Sequence, residues 1–129
     1  MASFLKYNWP SILWAAFIFY LCMISGSHLP HIHIPNLDKA VHFTFYLVLV
    51  LLMYTGWKKQ ASFPSLYQNS LLKIFAIACA YGFAIEIMQE LFTVDRHFEW
   101  LDEAADACGA LLGCWLSVKT FKYTARFIR

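Results

Sequence analysis

Long apolar segments separated by short charged stretches dominate the pattern of this chain. Four segments are long enough to cross a hydrocarbon core of about 30 Å, which takes roughly 17–25 mostly apolar helical residues. They cover about residues 10–25, 40–57, 71–92 and 101–120. Because a membrane interior offers no water to unpaired backbone groups, each segment is predicted to be an α-helix. The pattern therefore predicts an all-α integral membrane bundle of four transmembrane helices, forming a single domain over residues 1–129.

Composition agrees with a membrane protein and argues against other classes. The chain is 60% hydrophobic and only 14% charged, whereas soluble domains carry about 25% charged residues. The few basic residues flank apolar segments and form no patch, so we expect no nucleic-acid partner. The expected partner is the lipid bilayer. Four short helices bury little surface, so a homo-oligomer or a partner helix is also open.

The basic residues predict an orientation, because Lys and Arg accumulate in short cytoplasmic loops. All of them except Lys39 and Arg96 fall on the side of the predicted bundle that holds both termini. Lys6 is placed just before the first helix. The others are Lys58, Lys59, Lys73, Lys119, Lys122, Arg126 and Arg129. Both termini are therefore predicted to be cytoplasmic, in a multi-pass protein of the cytoplasmic (inner) membrane.

The opposite side, which would face the periplasm or the cell exterior, carries all eight carboxylates and all five histidines of the chain. Carboxylates at this density repel one another unless cations, shared protons or paired bases compensate their charge. The acids are Asp38, Glu86, Glu90, Asp95, Glu99, Asp102, Glu103 and Asp106, and the histidines are His28, His31, His33, His42 and His97.

Helical geometry, at about 100° of rotation per residue, gathers these polar residues into faces. Two glycines with the spacing of a small-xxx-small motif continue the polar face of the fourth helix and let a neighbouring helix approach closely. The faces are Asp38, Lys39, His42 and Tyr46 on the second helix, Glu86, Gln89 and Glu90 on the third, and Asp102, Asp106, Gly109 and Gly113 on the fourth.

Glu86 is the most informative of these residues because it lies roughly 9 Å inside the end of its helix. A charge at that depth costs at least a few kcal/mol unless it is paired or hydrated. The faces therefore predict a polar pocket that opens to the outside. A simpler alternative exists for single residues near helix ends: Asp38 and Asp102 could each be a helix N-cap.

The order and spacing of these residues resemble the VanZ-like family. The pattern is Asp38-Lys39-x-x-His42-Phe43-x-x-Tyr46, then Glu86-x-x-Gln89, then Arg96, then Asp102-x-x-x-Asp106-x-x-Gly109-x-x-x-Gly113. That family is named for a small membrane protein linked to resistance to the glycopeptide teicoplanin. The resemblance implies a function in the cell envelope and groups the matching positions into a single site. One position departs from the family, which usually has Asn where this chain has Asp106, so a charge replaces an amide donor.

The leading hypothesis is a site that binds or acts on a lipid-linked or anionic envelope component at the outer leaflet. Charge-assisted hydrogen bonds from Lys39, Arg96 and His42 would hold a phosphate or a similar head group. The candidate catalytic residues are His42, Glu86 and Asp102, and the candidate substrate-binding residues are Asp38, Lys39, Tyr46, Gln89, Arg96 and Asp106. Whether the site catalyses a reaction stays open at this point.

Two alternatives belong to different classes. The first is metal-dependent chemistry, in which Glu86/Glu90 and Asp102/Asp106, each pair four residues apart, join Asp38 and His42 around Mg²⁺ or Mn²⁺. The His28-x-x-His31-x-His33 run could bind zinc, but the signal is weak and polarity of a surface loop explains it better. The second alternative is a non-catalytic subunit of an envelope complex, in which the charged cluster holds the bundle together.

Overall fold

The computed structural model describes residues 1–24 and 34–127 of the protein, with side chains up to residue 121. The regular elements of this part are helical, so the predicted all-α class is confirmed there. They are α1 (Ala2–Met23), α2 (Leu37–Lys59), α3 (Ser70–Phe92) and α4 (Trp100–Phe127), with one 3-10 turn, Pro64–Leu66, before α3. The loop histidines His28, His31 and His33, proposed as zinc ligands, lie outside the described residues.

Within the described part, two helices, α2 and α3, are long and apolar enough to cross a membrane. Length and composition alone are weak evidence, because the core helix of a soluble protein passes the same test. The core helix of a soluble protein would be mostly buried, however. In the most apolar 18-residue stretch of each helix, only 39% of the residues of α2 and 28% of those of α3 are buried. Lys6 and Asn8 interrupt the apolar sequence of α1, and Asp102 and Glu103 lie in the first turn of α4.

Helix α2 is the central element of the bundle. It packs along α4 over its length and also contacts α1 and α3. The α2–α4 contact is close at Gly109 and Gly113. A Cβ on Gly109 would strike the backbone carbonyl of Phe43, and one on Gly113 would lie 2.9 Å from the carbonyl oxygen of Leu47. Glycine at these two positions therefore allows the backbones of α2 and α4 to touch.

The first helix differs from its predicted bounds. It begins at Ala2 and not near Pro10, which lies inside it, and Lys6 is part of the helix, not a residue before it. The loop after α2 explains the earlier start. Ser62 Oγ accepts hydrogen bonds from the Met1 amino group (3.1 Å) and from Phe4 N (3.2 Å). These donors are among those that a helix N-terminus leaves unpaired, so a distant residue caps α1.

Side chain to backbone hydrogen bonds fasten α1 to its neighbours. Trp14 Nε1 donates to the carbonyl of Phe45 at 3.0 Å, and the Tyr81 hydroxyl donates to the carbonyl of Ala15 at 2.6 Å. The helices otherwise meet through a core of buried apolar side chains. Ile18, Val50 and Ile74, from three different helices, are fully buried in it. This core fixes the positions from which the polar residues extend.

One end of the bundle, which we call the polar end, is where α1 and α3 stop and α2 and α4 begin. Asn36 precedes α2 in the left-handed conformation, with φ of 58°, which Asn tolerates better than most residues. Asn36 is therefore the N-cap of α2. Asp38 lies in the first turn, so the alternative of Asp38 as the N-cap was wrong.

Candidate functional site

Lys39 is the centre of an ion-pair cluster at the polar end. Its Nζ lies 2.7 Å from Asp38 Oδ2, 3.0 Å from Glu99 Oε2 and 3.0 Å from Asp102 Oδ1. These partners come from α2, from the loop between α3 and α4, and from the first turn of α4. The cluster joins three segments of the chain. It also leaves the charge of Lys39 fully engaged by carboxylates.

His42 lies one helical turn deeper than Lys39 and contacts two aspartates of α4. Its Nδ1 is 3.0 Å from Asp106 Oδ1, and its Nε2 is 3.9 Å from Asp102 Oδ2. The first distance is that of a hydrogen bond and the second is too long for one. Since a carboxylate only accepts, Nδ1 donates to Asp106, and a neutral imidazole then carries its lone pair on Nε2.

Glu86 is fully buried, at 0% exposure, near the polar end of α3. Its Oε2 accepts a hydrogen bond from Glu99 N at 3.1 Å. Its Oε1 is buried and has no hydrogen-bond partner among the residues that the structure describes. Burying an unpaired carboxylate oxygen is costly, and Glu86 Oε1 belongs to a residue with no exposed surface.

Beneath His42, a second group of oxygens surrounds Gly82. A Cβ on Gly82 would lie 2.7 Å from Asp106 Oδ2, 2.9 Å from Glu103 Oε2 and 3.3 Å from the Tyr46 hydroxyl. The Tyr46 hydroxyl and Glu103 Oε2 are both buried without a hydrogen-bond partner in the described part of the chain. Glycine at this position leaves room for these oxygens between α2, α3 and α4.

The remaining predicted site residues lie at the edges. Gln89 is buried, and its Nε2 donates to the carbonyl of Cys22 at 2.8 Å, which ties α3 to the end of α1. Arg96 is half-buried in the loop after α3 and acts electrostatically on the Cys22 thiol. Among the described residues, Arg96 takes part in none of the ion pairs that hold Lys39 and His42.

Glu90, four residues after Glu86 on α3, is exposed and contacts the loop that follows the helix. Its Oε2 accepts from Phe98 N at 2.8 Å and lies 3.5 Å from His97 Nδ1, so it holds the loop between α3 and α4. Both Glu90 and His97 are well exposed. Glu86 and Glu90 thus accept from the backbone N–H groups of two consecutive residues, Glu99 and Phe98, while Glu86 is buried and Glu90 is exposed.

Two residues of the site, Glu99 and Glu103, are among the acids of the outward side but were not predicted to belong to the site. Glu99 lies just before α4 and reaches both Lys39, by its side chain, and Glu86, by its backbone N. Glu103 faces Gly82 and Asp106. The spacing of Glu103 and Asp106, three residues apart on a helix, was a signal that could have included Glu103. No periodic signal marks Glu99, because its contacts depend on the path of a loop.

Among the described residues, two groups of side chains lie close enough together to be candidate ligands of a metal ion. His42, Glu86 and Asp102 form one, and Asp38, Glu99 and Asp102 form the other. In each group, one ligand atom per residue lies within 4.8 Å of the others. The first group is buried, while two of the three residues in the second are exposed.

These features define an all-helical protein with two apolar helices of membrane-crossing length and a buried, carboxylate-rich polar site at one end. The chain belongs to the VanZ/LLP1 family, whose family model matches residues 3–122, nearly the whole chain. The family and the two apolar helices together indicate a membrane protein. No curated protein and no solved structure matches the chain.

Proposed function

We propose that all four helices cross the membrane, with both termini in the cytoplasm and the polar end facing the periplasm or the cell exterior. Helices α1 and α4 also present large apolar side chains outward. Trp9, Leu13 and Tyr20 on α1 are at least 60% exposed, and Leu111 and Trp115 on α4 are more than half exposed. Apolar surface of this kind is typical of a contact with lipid or with another protein. The Lys and Arg residues at the opposite end support the orientation.

Within that topology, we propose that the polar end binds the anionic, phosphate-bearing head of a lipid-linked envelope molecule from the outer leaflet. The observation that carries the proposal is the buried Glu86 carboxylate, whose Oε1 has no partner among the described residues. An ionisable group with an unpaired atom inside a membrane bundle is expensive to keep and marks a functional site by default. A ligand group, or an ion that accompanies it, would complete its contacts.

The contacts of Lys39 make it a poor binding residue for an anionic ligand. Because three carboxylates already surround its Nζ, Lys39 orients Asp102 and is a weak attractor for an anion. Arg96 is the better candidate, since a guanidinium presents two parallel N–H donors to a phosphate. His42, Glu86 and Asp102 would face the same head group from below, and Tyr46 lies deeper still, beside Gly82.

The proposal is tested with a polyprenyl monophosphate and the matching polyprenol, each offered to the purified full-length protein in nanodiscs. We expect the phosphate to bind at least tenfold more tightly than the alcohol. Arg96→Gln should remove most of that difference, while Lys59→Gln, an exposed basic residue at the other end of the bundle, should leave it unchanged. Equal binding of phosphate and alcohol would contradict an anionic ligand.

A structural role in an envelope complex or a homo-oligomer is the second candidate. The observation that favours it is the Lys39 cluster, which clamps α2, the loop after α3, and α4 together. Under this proposal Glu86→Gln and His42→Ala would cause degradation of the protein in cells. Under the binding proposal both variants would stay in the membrane at normal level while ligand binding is lost.

A contribution to teicoplanin resistance is a narrower proposal, and it rests on the resemblance of the chain to the family named for that activity. It is tested by expressing the protein in a susceptible host. We expect a higher inhibitory concentration of teicoplanin with the wild-type chain than with Glu86→Gln at equal abundance. An unchanged inhibitory concentration in both would remove this proposal and leave the binding proposal intact.

A further inference from the structure

Three buried side chains of the polar end share one property: each has one polar atom held by a neighbour and a second atom left open. His42 donates from Nδ1 to Asp106, which leaves Nε2. Glu86 accepts from Glu99 N at Oε2, which leaves Oε1 without a partner among the described residues. Asp102 binds Lys39 through Oδ1, which leaves Oδ2 facing His42 Nε2 at 3.9 Å.

We propose that His42, Glu86 and Asp102 together bind one divalent cation of the Mn²⁺ type. One ligand atom from each lies within 4.8 Å of the others. Ligands about 2.1 Å from a shared octahedral cation lie roughly 3 to 4.2 Å apart, so a small contraction brings the three atoms into range. The remaining coordination positions would be open to water or to a ligand oxygen.

The hydrogen bonds around the three residues are those that a bound cation needs. A histidine that ligates a metal commonly donates its other ring N–H to a carboxylate, which fixes the tautomer and the orientation of the ring. Asp106 holds His42 in this way at 3.0 Å. Glu99 and Lys39 similarly orient Glu86 and Asp102. The carboxylates of the cluster outnumber its basic side chains, so a dication would also reduce their mutual repulsion.

The identity of the ion follows from the mixed ligand set. Carboxylate ligands suit Mg²⁺, Ca²⁺ and Mn²⁺, while an imidazole nitrogen favours transition metals. Structural zinc sites prefer closed sets of Cys and His, unlike this set of one imidazole and two carboxylates. Mn²⁺ accepts both kinds of ligand present here. The second group, Asp38, Glu99 and Asp102, already surrounds the ammonium of Lys39, so we assign it no metal.

The cation also explains how an acidic site could hold an anionic head group, a step that rests on the proposed function. A dication held from below by three protein ligands would present its open positions toward the polar end. Oxygens of a phosphate would bind there, with Arg96 beside them. The protein would then meet the phosphate through the ion and Arg96, while Lys39 stays engaged with its carboxylates.

The cation site is tested without any lipid ligand, in a background where His42 is the only histidine. Gln replaces His28, His31, His33 and His97 in the full-length chain, the purification tag is removed, and the protein is stripped with EDTA. Mn²⁺ is then titrated and followed by electron paramagnetic resonance. We expect one bound equivalent per chain and a ¹⁴N coupling to the ion, which only the His42 imidazole can produce in this background.

Ligand variants and matched controls complete the test. Glu86→Gln and Asp102→Asn should each weaken Mn²⁺ binding at least tenfold, while Glu90→Gln, an exposed carboxylate on the same helix as Glu86, should not change it. Absence of bound Mn²⁺, absence of the ¹⁴N coupling, or displacement of Mn²⁺ by equimolar Mg²⁺ would each overturn the proposal. The ¹⁴N readout keeps the test decisive even if a carboxylate variant fails to fold.

A separate measurement tests whether the cation joins the protein to the phosphate of the lipid. Polyprenyl monophosphate is added to the Mn²⁺-loaded protein, and a ³¹P coupling to the ion is expected, with phosphate binding reduced at least tenfold after EDTA treatment. Bound Mn²⁺ without a ³¹P coupling would keep the cation site and contradict the bridged head group. Phosphate binding that is independent of Mn²⁺ would keep the proposed function and contradict the bridge.

Discussion

Asp106 Oδ1 lies 3.0 Å from His42 Nδ1, and both side chains are buried between α2 and α4. This contact joins the two helices that pack most closely in the bundle, and it sets the direction of the imidazole. A side-chain amide could accept the same hydrogen bond through its oxygen, so the contact does not require the charge.

The first prediction therefore separates the hydrogen bond from the charge. In EDTA, Asp106→Asn should change the free energy of unfolding by less than about 1 kcal/mol, whereas Asp106→Leu should cost about 1–3 kcal/mol because His42 loses its buried acceptor. Thermal unfolding of the detergent-purified variants measures both. Equal destabilisation by Asn and Leu would show that the carboxylate charge, not the hydrogen bond, stabilises the contact.

The second prediction concerns the close approach of α2 and α4. Gly109→Val should destabilise the protein by about 1–3 kcal/mol or more, because the new Cβ strikes the Phe43 carbonyl and the helices must separate. Ala104→Val, an exposed position on the same helix, is the matched control and should have little effect. Similar unfolding temperatures for the two variants would mean that the α2–α4 spacing tolerates a side chain.

The third prediction concerns the Lys39 cluster. Lys39→Met leaves three carboxylates without their shared ammonium, so it should destabilise the protein, and Asp102→Asn should relieve part of that loss. A double-mutant cycle for Lys39 and Asp102 in EDTA should give a coupling of about 1 kcal/mol. A cycle of Lys39→Met with Glu90→Gln, which do not touch, should be additive within about 0.5 kcal/mol.

Periodicity was a sound guide where helices determine the contacts. The helical class and the grouping of His42 with Asp102 and Asp106 follow from residue spacing, because those side chains lie on facing stripes of α2 and α4. The same reasoning put Glu86 and Glu90 on one face of α3, but it did not predict that Glu86 would be buried and Glu90 exposed. Glu90 turns to the Phe98 backbone and His97 in the next loop.

Contacts made by loops could not be predicted from helical spacing. The start of α1 at Ala2 depends on Ser62, which is far away in sequence and caps the helix from the loop after α2. Likewise, the place of Glu99 beside Lys39 depends on how the chain turns between α3 and α4. Such contacts are set by tertiary structure, and no local pattern of apolar residues predicts them.

The fourth prediction tests the proposed orientation. Val94 is 97% exposed in the loop between α3 and α4, and Lys59 is exposed at the opposite end. In intact cells, a membrane-impermeant maleimide should label Val94→Cys and should reach Lys59→Cys only after the membrane is permeabilised. The parent chain gives the background from its four native cysteines. The reverse labelling pattern would place the polar end in the cytoplasm.

The last prediction follows from the cost of keeping Glu86 buried. Glutamine has nearly the same shape, so its oxygen can still accept from Glu99 N, and it carries no charge where Oε1 now lacks a partner. Replacing an unpaired buried carboxylate by a neutral amide should stabilise the protein, because burying an unpaired charge costs more than burying a neutral polar group. In EDTA, Glu86→Gln should therefore raise the unfolding temperature, while Glu90→Gln should not.

Adding Mn²⁺ should reverse the order of stability. A cation that binds only the folded state stabilises it by an amount that grows with the logarithm of its concentration relative to its dissociation constant. The unfolding temperature of the wild-type protein should therefore rise with Mn²⁺ concentration, and that of Glu86→Gln should stay nearly constant. This exchange of stability for binding is typical of functional sites. If Glu86→Gln is instead less stable than the wild-type protein in EDTA, Glu86 is a structural residue whose contacts are already satisfied.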